Sequence, residues 1–125
     1  MANEVNVQAT LTYSKYTPQI LQVAAFKDVT QTGKSASSRT VNVTAAALLP
    51  LGNENASPNF LGYIFVKNLD AALSVKLSLA SSSQYFANLL PGQFCLIPWN
   101  LNAVSSIWAE PSSGSPLVLI MAVEQ

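Results

Sequence analysis

Apolar and polar residues alternate at every second position along much of this chain. From Val5 to Tyr13 and from Leu73 to Leu79 the odd-numbered residues are apolar, and most residues between them are polar. Successive side chains of a β-strand point to opposite faces, whereas a helix brings residues to one face every three or four positions. The alternation therefore predicts half-buried β-strands and leaves little room for helix.

Further segments carry the apolar, β-branched composition of strands. Leu61 to Leu69 is apolar on both faces, which predicts a central strand, and a turn at Asn68 to Ala71 is expected to join it to Leu73–Leu79 as an antiparallel hairpin. The remaining predicted strands are Ile20 to Val29, Thr40 to Leu49, Phe94 to Ile97, Val104 to Ala109 and Leu117 to Val123.

Turn signals separate these segments. Leu90-Pro91-Gly92-Gln93 predicts a tight turn, because proline presets the first turn angle and glycine accepts a positive φ. Thr30 to Ser38 is expected to be a polar loop, and Pro98 is expected to stop the strand before it.

Seven or eight short strands at this spacing predict an all-β fold, specifically an antiparallel β-sandwich that is jelly-roll-like. The chain has 125 residues, which is enough for one hydrophobic core, and no linker or internal repeat divides it. We therefore expect a single domain over residues 1–125.

Charge is scarce and evenly balanced. Only 10% of residues are charged, against about 25% in typical soluble domains, and six basic residues offset six acidic ones. Nucleic-acid binding needs clustered basic side chains. The basic residues of this chain are scattered singly, so no nucleic-acid partner is expected.

The chain also has no apolar run long enough to span a bilayer and no signal peptide at Met1 to Glu4, so no membrane partner is expected. A neutral polar surface suits a subunit packed against copies of itself better than a dispersed monomer.

Residues that carry chemistry are few. The chain has no histidine, the commonest general base and metal ligand, and its one cysteine, Cys95, lies in an apolar strand where a buried structural thiol is expected. A single cysteine allows no intrachain disulfide and fits synthesis in a reducing cytoplasm. The acidic residues are spread along the chain without a spacing that pairs them. The sequence therefore predicts no catalytic, cofactor-binding or metal-binding residue, no cofactor and no enzymatic activity.

Aromatic residues allow two interpretations. Those in or beside predicted strands are expected in the sandwich core, whereas those near strand ends could form a sugar-stacking platform or a subunit contact. The first group is Tyr63, Phe65, Phe94, Trp99 and Trp108, and the second is Tyr13, Tyr16, Tyr85 and Phe86.

The order of segments from about Val41 to Val123 resembles that of small bacteriophage virion proteins of the β-sandwich type. The residues that carry the resemblance are Val41–Thr44, Leu49–Gly52, Tyr63–Asp70, Phe86–Phe94, Ile107–Ala109 and the last apolar strand. The resemblance implies a structural role on a phage particle: cement or decoration of the capsid, or an accessory piece of the neck or tail. It implies assembly in the host cytoplasm, localisation in the virion, contact with the major capsid protein or other virion proteins, and a homo-oligomer, with a trimer favoured. An isologous dimer, the general default among homo-oligomers, stays open.

The segments Met1 to Glu4, Thr30 to Ser38 and Gly52 to Asn59 are the expected contact elements, because binding residues concentrate in loops and arms. Two other functions stay open. The domain could recognise a receptor carbohydrate at the tip of a tail fibre, or it could be an adhesion module of a host cell. An enzyme would need a site shared between subunits.

Overall fold

The computed structural model describes residues 5–14, 20–29, 36–44, 49–51, 62–78, 84–99 and 107–124. These residues form ten β-strands, more than the seven or eight predicted, and they form no helix, as the two-residue period predicts. The strands are β1 (Val5–Ser14), β2 (Ile20–Val29), β3 (Ala36–Asn42), β4 (Leu49–Leu51), β5 (Gly62–Asn68), β6 (Val75–Ser78), β7 (Tyr85–Leu89), β8 (Phe94–Trp99), β9 (Ile107–Pro111) and β10 (Leu117–Glu124).

The strands fall into two compact units. In the first, β1 and β2 form an antiparallel hairpin that pairs Val5 with Val29 and Ser14 with Ile20. The alternation predicted for β1 is therefore present as a strand, and its Leu11 is 74% exposed. The prediction of one domain over residues 1–125 stays a prediction.

The second unit is an antiparallel sandwich of two four-stranded sheets. Sheet 1 has the order β3-β10-β5-β8 and sheet 2 the order β4-β9-β6-β7. Along the chain every connection from β3 to β10 leads from one sheet to the other, except the link from β6 to β7. Eight strands connected in this way make a jelly roll, so the fold class expected from the sequence is confirmed.

The core lies between the two sheets and consists of the inward residue of each alternating pair. In β5 every second residue from Gly62 to Asn68 is buried and those between are half-buried. Paired to β10 on one side and β8 on the other, β5 is the central strand that its composition predicted. The buried hydrophobic residues of the core are Val43, Ile64, Val66, Val75, Leu77, Leu89, Ile107, Ala109, Val118, Ile120 and Ala122.

The hairpin predicted between β5 and β6 is wrong. β5 belongs to sheet 1, whereas β6 pairs with β7 and β9 in sheet 2, so residues 69–74 cross from one sheet to the other. The alternation predicts which residues share a face of each strand, but it does not predict which strand pairs with it.

Two strand ends also differ from the sequence prediction. β8 continues through Pro98 to Trp99, where a stop was expected. Proline lacks the N–H of a ladder hydrogen bond and is tolerated in edge strands, and β8 is the edge of sheet 1. The loop predicted from Thr30 to Ser38 ends sooner than expected, because β3 already begins at Ala36.

Candidate contact surface

The outward side of sheet 1 is apolar on three of its four strands. Its apolar members are Tyr63 and Phe65 of β5, Phe94, Leu96 and Pro98 of β8, and Leu117, Leu119, Met121 and Val123 of β10. We call this set the outer face. It forms because β10 and β5 are apolar at both odd and even positions, so that filling the core leaves a second apolar side uncovered.

Strand register places these residues in rows across the sheet. Met121 is the partner of Phe65, which is in turn the partner of Leu96. The next row toward the start of β10 holds Leu119, Lys67 and Phe94. Directly opposed residues on one face of a sheet contact one another, so the outer face is a continuous surface.

Exposure varies across the outer face. Phe94 is 62% exposed, Met121 40% and Leu117 36%. The ring of Phe65 is half-buried and stacks on that of Phe94, with centroids 5.6 Å apart and planes 29° from parallel. Tyr63, Phe65, Phe94 and Trp108 were expected in the sandwich core, and this is wrong. Tyr63, Phe65 and Phe94 lie on the outward side of sheet 1, and Trp108 lies on the outward side of sheet 2.

The margin of the outer face is polar. The outward residues of β3 are Ser38, Thr40 and Asn42, which are all exposed and pair with Met121, Leu119 and Leu117. Lys67 is the one charged side chain among the outward positions that the structure describes on sheet 1, and it is half-buried. An apolar centre with a polar margin is the usual anatomy of a protein–protein contact.

The outward side of sheet 2 is different, because its charged groups already have partners within the chain. The hydroxyl of Tyr85 donates a hydrogen bond to Oε2 of Glu110, and Nζ of Lys76 lies 5.0 Å from the centroid of the Tyr85 ring. Lys76 is also the strand partner of Glu110. The two sides therefore differ in charge. Lys76 and Glu110 on sheet 2 have partners within the chain and lie on the same side as Trp108, whereas the described outward positions of sheet 1 carry one charged side chain, Lys67.

A bulge exposes two aromatic residues at the edge of sheet 2. Ser78 pairs with Tyr85 and Leu77 with Ala87, so Phe86 is the extra residue of β7. Tyr85 is 39% exposed and Phe86 41%. Bulges at sheet edges redirect side chains in this way, so both residues expected near a strand end are accessible, as a stacking platform requires.

Four connections of the sandwich meet at one end and are held by hydrogen bonds. Asn68, which is fully buried, donates from Nδ2 to the carbonyl oxygens of Leu73 at 2.7 Å and Leu89 at 3.0 Å. Its Oδ1 accepts the backbone N–H of Asp70 at 3.0 Å. Among the described residues no buried side-chain nitrogen or oxygen lacks a hydrogen-bond partner.

The same end contains a tight turn and a carboxylate cap. Gln93 donates its backbone N–H to Leu90 at 3.0 Å, and Gly92 has a φ of 77°, which confirms the turn predicted there. Oδ1 of Asp70 accepts the backbone N–H groups of Ala72 and Leu73, each at 2.8 Å. These hydrogen bonds lower the pKa of Asp70 below its ordinary value of 3.8, and the hydrogen bond from Ala72 has the largest effect.

Cys95 lies half-buried on the inward side of β8 and packs against the core. Burial raises the pKa of its thiol, the opposite of what activates a nucleophilic cysteine. Within the described ranges no group of three or more histidine, cysteine or acidic residues is placed to hold a metal ion. Those ranges likewise contain no helix long and apolar enough to cross a membrane.

Several residues singled out from the sequence lie outside the described part of the chain: Met1 to Glu4, Tyr16, residues 30–35 and residues 52–59. Sequence reasoning missed the outer face, because it placed the contact elements in loops and an arm, whereas each named residue of the outer face lies on a strand. The signal was present in β10, where Val118, Ile120 and Ala122 fill the core and the larger odd-numbered residues are left outside.

No family model matches this chain, and no match was found among curated proteins or solved structures. The described residues thus define a jelly-roll sandwich in which the outward side of sheet 1 is apolar and carries one charged side chain, Lys67.

Proposed function

We propose that this chain is a structural, non-enzymatic protein of a bacteriophage particle, and that it acts as a capsid cement or decoration protein. It is assembled in the host cytoplasm and stabilises the particle by burying surface against copies of itself and against the major capsid protein or another virion protein. No cofactor, nucleic acid or membrane takes part.

The outer face carries this proposal. Apolar residues on three neighbouring strands, with Phe94, Met121 and Leu117 exposed, form a contiguous patch of the kind that marks interaction sites. Its one charged side chain is Lys67, so a partner can cover it with little cost for burying unpaired charge.

Two further features support a particle protein. The order of segments from Val41 to Val123 resembles that of small phage virion proteins. Jelly rolls recur in viral capsid proteins, although they also occur in lectins and cupins, so the topology alone does not select the role.

Peptide mapping of purified particles tests the proposal. Particles of the phage whose genome encodes the chain are purified on a density gradient and digested, and the peptides are quantified against those of the major capsid protein. We expect this chain in fixed proportion to the capsid protein. A number of chains per particle that corresponds to one small ring would instead support a neck or tail accessory protein. Absence of the chain from the particle would remove the virion role.

The exposed aromatic pair Tyr85 and Phe86 favours one alternative, a carbohydrate-binding module of a tail fibre. Aromatic rings accessible at a sheet edge can stack on sugar rings. A glycan array probed with the native chain and with Phe86→Ala tests it: a glycan bound by the first and lost by the second supports receptor recognition, and no bound glycan argues against it.

A further inference from the structure

We infer that the outward side of sheet 2 carries a binding site for a neutral oligosaccharide, formed by Tyr85, Trp108, Lys76, Asn88 and Glu110. The inference rests on the carbohydrate-binding alternative proposed above. It adds the polar groups that hold the sugar and the class of sugar that they accept. It does not require the cement role, which a different measurement tests.

Two aromatic side chains lie in one row on this side of sheet 2. Trp108 of β9 and Tyr85 of β7 are both strand partners of Ser78 in β6. Their backbones are therefore two strand spacings apart, about 9.6 Å. Phe86 follows Tyr85 at the edge of the sheet and is 41% exposed. The aromatic surface thus extends from β9 to the edge strand.

The ring of Tyr85 is held in place by its neighbours. Its hydroxyl donates a hydrogen bond to Glu110 of β9, so the side chain reaches across β6. Nζ of Lys76, on β6, lies 5.0 Å from the centroid of the ring. Tyr85 nevertheless stays 39% exposed. A ring that is fixed before binding loses little conformational freedom when a ligand stacks on it.

Polar groups that donate and accept hydrogen bonds surround this ring. The hydrogen bond from Tyr85 uses one oxygen of the Glu110 carboxylate, and the other oxygen can accept from a ligand. The ring contact of Lys76 uses the charge of its ammonium, and the N–H groups of that ammonium can donate. Asn88 is exposed and is the strand partner of Lys76, so its amide adds a donor and an acceptor.

The charges of the site select a neutral, hydroxyl-rich ligand. Lys76 and Glu110 are directly opposed, so an anion that approached the lysine would also meet the carboxylate. An apolar partner would bury both charges at a cost in desolvation, whereas sugar hydroxyl groups can donate to Glu110 and accept from Lys76. One sugar ring is shorter than the distance of about 9.6 Å from Trp108 to Tyr85, so the ligand is an oligosaccharide.

An array of neutral and sialylated oligosaccharides, probed with the full chain, tests the inference. Titration calorimetry with the glycan that gives the strongest signal then measures the affinity of each variant. Tyr85→Ala removes the ring, whereas Tyr85→Phe keeps the ring and removes its hydrogen bond to Glu110. Phe94→Ala is the matched control, because Phe94 is an aromatic residue of sheet 1 and is 62% exposed.

We expect the native chain and Phe94→Ala to bind the same neutral glycans with equal affinity. We expect Tyr85→Ala to weaken binding on the order of tenfold and Tyr85→Phe to weaken it about threefold. Circular dichroism reports the folding of each variant. Asn88→Ala, at an exposed position, is the second variant should Tyr85→Ala unfold, and it should weaken binding about threefold.

A chain that binds no glycan would overturn the inference together with the carbohydrate-binding alternative. A bound glycan whose affinity falls equally in Tyr85→Ala and Phe94→Ala would overturn the inference alone, as would a preference for sialylated glycans. Peptide mapping decides the virion role separately: a chain that binds a neutral glycan but is absent from purified particles keeps the site and loses that role.

Discussion

The side-chain amide of Asn68 donates a hydrogen bond to the backbone carbonyl of Leu89, 3.0 Å away, and so joins the two sheets of the sandwich. Asn68 ends β5 in sheet 1, whereas Leu89 ends β7 in sheet 2. Through its backbone Asn68 also donates to the carbonyl of Gln93 and accepts the N–H of Gly92. The side-chain amide of Asn68 thus links the two sheets, and its backbone holds the turn at Gly92.

Replacement of Asn68 by alanine should strongly destabilise the fold. The change removes two donated hydrogen bonds and one accepted, and leaves buried backbone groups without partners. We expect the free energy of unfolding to fall by about 3 kcal/mol, measured by urea denaturation at neutral pH. Asn88→Ala, at an exposed position of β7, is the control and should change it by no more than about 0.5 kcal/mol. Equal effects of the two substitutions would show that Asn68 does not join the sheets.

The carboxylate of Asp70 should make stability depend on acid pH. Its pKa is lowered in the folded chain by the N–H groups of Ala72 and Leu73, so the ionised form stabilises the fold, and this contribution is present above the ordinary pKa of 3.8. It is lost as the pH falls through the lower, folded-state pKa. Asp70→Asn keeps an acceptor oxygen without the charge. We expect the native chain to exceed Asp70→Asn in urea midpoint above pH 3.8 and to lose that advantage as the pH falls through the lower, folded-state pKa. A difference independent of pH would contradict this account.

Two glycines with positive φ should differ in their tolerance of alanine. Gly92 has a φ of 77° and nothing within 4 Å of an added Cβ, so Gly92→Ala costs only the backbone strain, about 1 kcal/mol. Gly114 has a φ of 60°, and an added Cβ would lie 3.1 Å from Cδ1 of Leu73. We expect Gly114→Ala to lower the thermal midpoint more than Gly92→Ala. Gly92→Asn should recover part of the loss, since asparagine tolerates this conformation. The reverse order of the two alanine variants would show that Leu73 yields to the new methyl group.

The thiol of Cys95 should react slowly in the folded chain. Burial raises its pKa, so at pH 8 less thiolate is present than in an exposed cysteine, and packing against the core limits access. Because Cys95 is the sole cysteine, Ellman's reagent reports on it alone. We expect reaction on the order of tenfold slower than in the chain unfolded in urea. An equal or faster rate in the folded chain would indicate an activated thiol and would reopen a chemical role.

Local signals predicted most strands of the fold but not their assembly. They missed β7 (Tyr85–Leu89), and they predicted one strand from Thr40 to Leu49 where the structure has β3 and β4. Pro91 and Gly92 predicted the turn because its backbone angles depend on those two residues alone. The hairpin predicted between β5 and β6 failed because the residues between them, capped by Asp70, lead across the sandwich instead of back along one sheet.

The amino-acid sequence by itself determined where strands run and which residues share a side of each strand, because both follow from the two-residue period of an extended backbone. The tertiary structure alone decided which side faces inward. In β10 both sides are apolar, and packing of sheet 1 against sheet 2 buried Val118 and Ile120 while it left Leu117 and Met121 exposed. That choice depends on packing between residues far apart in the chain, and it created the outer face on which the proposed function rests.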